Sequence, residues 1–124
     1  MLNQVVLVGR LTKDPEVVET ESGNKVSSVA LAVPRNFKNE DGVYETDFIE
    51  VTMWNNIASN TAEYCHKGDI VGVKGRIQVD SYEKNGEKRK EQRVLAERVT
   101  FLTSKAKNEP EPELWYYEWR KVKK

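Results

Sequence analysis

"FIEVTMWNNIASNTAEYCHKGDIVGVKGRI", Phe48 to Ile77, changes its periodicity twice within thirty residues. It opens with period two: Ile49, Val51 and Met53 make an apolar face, and Phe48, Glu50, Thr52 and Trp54 make the other. Ile57, Ala58, Thr61, Ala62 and Cys65 then fall at helical spacing, with Asn55 or Asn56 to cap the start and Gly68 to end it. From Ile70 to Ser81 the period returns to two, with Val71, Val73, Ile77 and Val79 inward and Lys74, Arg76 and Gln78 outward. If that strand continues, Tyr82 shares the outward side. The stretch is strand, short helix, strand.

Working outward, Gln4 to Leu11 ("QVVLVGRL") is apolar on both parities, Val5, Leu7 and Leu11 on one and Val6 and Val8 on the other, so both faces should be buried. Val26 to Val33 alternates Val29, Leu31 and Val33 against Ser28, Ala30 and Ala32. Between these strands Asp14-Pro15 and Ser22-Gly23-Asn24 mark turns. Asn85-Gly86 signals a tight hairpin, and a last strand spans about Gln92 to Leu102, its alternation blurred by Glu97 and Arg98. Three strands, a helix and a two-stranded hairpin match an all-β, five-stranded oligonucleotide/oligosaccharide-binding (OB) barrel with its helix between strands three and four.

"KAKNEPEPE", Lys105 to Glu113, with two prolines and alternating acids, reads as an extended linker. The expected organisation is a domain over 1–104 and, over 105–124, a linker with a tail ending "ELWYYEWRKVKK". That ending has four aromatic and four basic residues, and its pattern fits a strand or a helix equally.

The 20 basic and 20 acidic residues balance, with 14 against 16 in residues 1–104 and 6 against 4 beyond. Composition therefore supplies no general attraction for a polyanion, and local placement must decide. A single Cys65 excludes an internal disulfide, and with one His66 it cannot assemble a zinc site. No apolar run reaches the roughly 20 residues of a membrane span, and "MLNQVVLVGR" lacks a basic region followed by an apolar one, so the expectation is a cytoplasmic protein. His66, at the end of a helix beside Lys67 and Gly68, has no base–nucleophile pairing and no Gly-rich phosphate loop is present, so neither catalysis nor a cofactor is expected.

The positive signal is aromatic residues among polar and basic ones: Phe37 in "PRNFK", Phe48, Trp54 and Tyr82. An exposed ring has no folding benefit, but it can stack on a nucleobase for roughly 1–3 kcal/mol. Arg10, Arg35, Lys38, Lys74, Arg76, Lys84, Lys88, Arg89, Lys90 and Arg93 are candidates to track a phosphate backbone. Residues 84–93 alone carry five basic residues against Glu87 and Glu91. Taken singly, a Phe or Tyr is more often core or rim, and a charged hairpin tip is usually only solvated.

The chain resembles the bacterial single-stranded DNA-binding proteins: "NQVVLVGRLTKDPE" is similar to their first strand and turn, the opening stretch to their strand–helix–strand centre, and "VLAERVTFL" to their last strand. On that pattern Phe37, Phe48, Trp54 and Tyr82 fall where the family carries its base-stacking aromatics, two of which are often Trp there and are Phe37 and Phe48 here. The resemblance implies binding of single-stranded DNA with little sequence preference, protecting it and removing secondary structure in replication, recombination, repair or DNA uptake. It also implies a homotetramer, with the first strand used in subunit pairing. Family members often end in an acidic peptide that recruits partner enzymes. The ending here is basic, so that recruitment is not expected, and short members from Gram-positive bacteria, phages or plasmids are most similar. An RNA-binding OB module and a primosome-type protein adaptor are the rival readings.

Overall fold

The computed structural model describes residues 1–103. The elements are β1 (Val5–Leu11), β2 (Val18–Glu19), β3 (Lys25–Lys38), β4 (Tyr44–Trp54), α1 (Asn55–Tyr64), β5 (Ile70–Lys84) and β6 (Glu87–Phe101). Five strands close in the order β1-β5-β6-β4-β3, with β1 returning to β3, and β2 adds a two-residue edge. All pairings are antiparallel except β4 with β6. This is the expected five-stranded OB barrel, its helix between the third and fourth long strands.

The core follows from alternation. Val29 and Leu31 of β3, Val51 and Met53 of β4, Val71 and Val73 of β5, and Val94 and Ala96 of β6 turn inward around Leu11. Ala58 and Cys65, at the two ends of the helical stretch, join that core. Burial, with Asp69 as a lesser cause, pushes the Cys65 thiol up to about 11.

Closure depends on Gly9. β1 pairs with β5 from Val5 to Arg10 and with β3 at Arg10 and Leu11, so it crosses the seam of the barrel. A Cβ on Gly9 would collide with the Ala32 carbonyl, and only glycine lets the two backbones approach. The turn after the helix is tied to the same seam: Gly68 N–H donates to the Leu11 carbonyl, Leu11 N–H to the Asp69 carbonyl, and Lys67 N–H to the Asp14 carboxylate.

Several expectations need correcting. Neither Asn55 nor Asn56 caps the helix through its side chain. Asn55 instead takes a left-handed φ of 51° and accepts a hydrogen bond from Lys25 N–H, bridging to β3. The helix stops at Tyr64, and Gly68 belongs to the turn beyond it. The outer residues of β1 are not buried in the single chain, since Val6 is 70% and Val8 54% exposed. Ile77 and Val79 share the inward parity but are exposed too, because β5 and β6 run on past the barrel as a two-stranded arm in which residues 81–92 are all exposed. The blur at Glu97 and Arg98 is a β-bulge: Lys74 faces Arg98 and Gly75 faces Ala96, which leaves Glu97 over.

Asn85 and Gly86 both have positive φ and link Lys84 to Glu87, the type I′ turn that the dipeptide signals. The Thr20–Asn24 turn likewise folds β2 back on β3, through Thr20 N–H to the Asn24 carbonyl.

Candidate nucleic-acid interface

Register places the aromatic residues. Along β4, Trp54 faces Val26, Thr52 faces Ser28, Glu50 faces Ala30 and Phe48 faces Ala32. Directly opposed residues share a face, so the β3 residues beside this row are small or modest, and the two rings stand clear. Ser28 and Thr52 join hydroxyls at 3.1 Å between them. Ala32 also faces Arg10 on β1, which sets Arg10, Ala32 and Phe48 in one transverse row. Burial lowers the Arg10 pKa from its ordinary value.

The same surface continues across β6 and β5. Thr52 faces Leu95, Leu95 faces Arg76, and beyond them Arg93 faces Gln78 and Arg89 faces Tyr82. Phe48, Trp54, Arg76, Arg93, Arg89 and Tyr82 therefore lie on one outward face that runs from the barrel on to the β5–β6 arm. Phe37 stands near the end of β3, within the irregular stretch between Pro34 and Lys38. The four rings are 39–66% exposed.

The cations divide into groups. Arg76, Lys84, Lys88, Arg89 and Lys90 are exposed on the arm or its root. Arg89 pairs with Glu87 at 3.5 Å, and Arg93 is paired with Asp80. Lys74 is exposed with the outward parity of Arg76, and stands between Val6 of β1 and Arg98 of β6. Arg35 is engaged by acids: Nη1 reaches Glu45 Oε2 at 2.6 Å and Nη2 reaches Asp47 Oδ1 at 2.9 Å. Its hydrogen bond to Asp47 raises the Arg35 pKa and holds the Asp47 carboxyl below its ordinary value.

One ring escaped the sequence-based selection. Tyr44 begins β4 with the parity of Phe48 and Trp54, is 43% exposed, and has Lys38 Nζ 5.6 Å from its ring centroid. The period-two rule applied four residues upstream of Phe48 would have found it.

Residues 2–102 match the Single-strand binding protein family. The chain belongs to that family. It is 51% identical over 106 residues to Single-stranded DNA-binding protein B of Bacillus subtilis (strain 168), covering 85% of this chain and 94% of that protein. To Single-stranded DNA-binding protein 3 of Listeria innocua it is 49% identical over 106 residues, 85% of this chain and 66% of the relative. To Single-stranded DNA-binding protein 1 of Staphylococcus aureus (strain Mu50) it is 42% identical over 116 residues, 93% of this chain and 74% of the relative.

Proposed function

We propose that the chain binds single-stranded DNA with little sequence specificity, as a passive binder without turnover or cofactor, protecting the strand in replication, recombination, repair or DNA uptake. The observation that carries this is the shared outward face of Phe48 and Trp54, continued by Arg76 and Tyr82. Rings in that setting offer π-faces to any base, and the neighbouring cations offer charge to the backbone joining them. A paired base has no free face to stack, so the arrangement selects single strands over duplex.

Residues 1–104 form the binding domain in this reading, and the basic aromatic tail lies outside the described residues. Assembly as a homotetramer is part of the same proposal. Exposed Val6 and Val8 on β1 support it, because such a strand gains by pairing with another copy. A cytoplasmic setting accords with a described chain in which no helix is long and apolar enough to cross a membrane.

Trp54→Ala tests the site. Affinity for an oligo-dT strand should fall by about 1–3 kcal/mol with the thermal transition retained. Unchanged affinity removes Trp54 from the interface.

A further inference from the structure

We infer that Tyr44 is a further base-stacking position, and that the groove between Tyr44 and Phe48 receives one unpaired nucleobase. This rests on the proposed single-strand binding and extends its path along β4. Tyr44, Phe48 and Trp54 are separated by four and six residues of one strand, so they share a face and span about 33 Å at about 3.3 Å per residue. A groove of about 640 Å³ is lined by Tyr44, Thr46 and Phe48, with Arg35, Asn39, Val43 and Glu45 completing its walls. That falls in the roughly 300–1,000 Å³ range of small-ligand clefts.

The chemistry of the walls favours a base over a phosphate. Arg35 and Glu45 line the groove with one charge of each sign, and Asp47 on Arg35 and Lys38 beside Tyr44 add one more of each around it. Arg35 is already shared between both carboxylates, and Lys38 stands near the Tyr44 ring. With the local charge balanced, little attraction for a phosphate is left, whereas two aromatic side chains and a hydroxyl-bearing Thr46 suit a flat heterocycle with polar edges. Ring stacking is sequence-tolerant, which keeps the subsite compatible with non-specific binding.

The test compares Tyr44→Leu, Tyr44→Phe and Trp54→Ala in the full-length chain, using anisotropy titrations with a labelled oligo-dT over a range of salt concentrations. Leucine keeps apolar bulk without a π-face, and thermal melting of each variant checks that the fold is retained. Tyr44→Leu should weaken binding at least five-fold with the slope of log affinity against log salt unchanged, and Tyr44→Phe should stay within two-fold of the parent. An oligo-dT with 5-iododeoxyuridine substituted in turn at each position should cross-link on irradiation to the peptide carrying Tyr44. If Tyr44→Leu binds like the parent while Trp54→Ala is weakened, the subsite is wrong and the interface stands. If Tyr44→Leu lowers the salt slope by the amount expected for a lost phosphate contact, the groove holds backbone and not base, and the inference is overturned. If neither variant is weakened, both the inference and the proposed function fail.

Discussion

Arg35 grips Asp47 across the β3–β4 ribbon with one edge of its guanidinium: Nε donates to both carboxylate oxygens at 3.1 and 3.2 Å, and Nη2 donates to Oδ1 at 2.9 Å. With Glu45 on Nη1 at 2.6 Å, one arginine ties together three positions of the ribbon that carries Phe37, Tyr44 and Phe48. A phosphate approaching Arg35 would have to compete with both carboxylates. A lysine at position 35 would keep the charge and lose the fork.

The first prediction concerns that tie. Asp47 should titrate below the ordinary aspartate value of about 3.9, because the Arg35 hydrogen bond favours its charged form. A group whose folded pKa is lowered contributes its stability above the unfolded value and loses it as pH falls through the folded one. The tie should be complete at neutral pH and released only on strong acidification. A carboxyl-detected NMR titration measures this directly, and an ordinary aspartate value for Asp47 would refute the bidentate geometry.

Gly75 sits at the β5–β6 bulge, and a Cβ there would run into the Leu95 carbonyl. Backbone cannot move aside as a side-chain tip can, so Gly75→Ala should destabilise by about 1–3 kcal/mol. Gly72, three residues earlier on the same strand, has its nearest neighbour at 3.6 Å from such a Cβ and serves as the control. Denaturant unfolding of both variants decides the matter, and equal midpoints would contradict the close approach.

The cations of the arm give a third prediction. Lys88, Arg89 and Lys90 are exposed, and Arg89 makes a loose 3.5 Å contact with Glu87. Replacing all three with Ala should flatten the salt dependence of single-strand affinity, by about 0.7 in the log–log slope for each phosphate contact removed. An unchanged slope would make the tip an ordinary solvated turn.

The parts of this structure that sequence disclosed are those fixed by neighbours in the chain. Alternation in Phe48 to Trp54 set which residues face the core, and Asn85-Gly86 specified its turn because both residues tolerate positive φ. What stayed hidden depends on contacts distant in sequence. The Asn55 side chain was taken by Lys25, thirty residues away, and so gave no helix cap. Arg35 looked like a free cation in "PRNFK" because Glu45 and Asp47 come beside it only when the ribbon forms. Ile77 and Val79 carry the right parity for the core, but parity cannot tell where a strand leaves the barrel. Tyr44 was legible by the same alternation and was overlooked because the strand begins four residues before Phe48.

Exposed rings on one face should bind unpaired bases and leave paired ones alone. The most direct measurement is competition: a labelled oligo-dT bound to the full-length chain, challenged with unlabelled single strand, with the same strand annealed to its complement, and with matched RNA. Stacking on free base faces predicts displacement by the single-stranded DNA and little or none by the duplex at equal nucleotide concentration. Equal displacement by duplex, or no binding of the labelled strand at low salt, would contradict it.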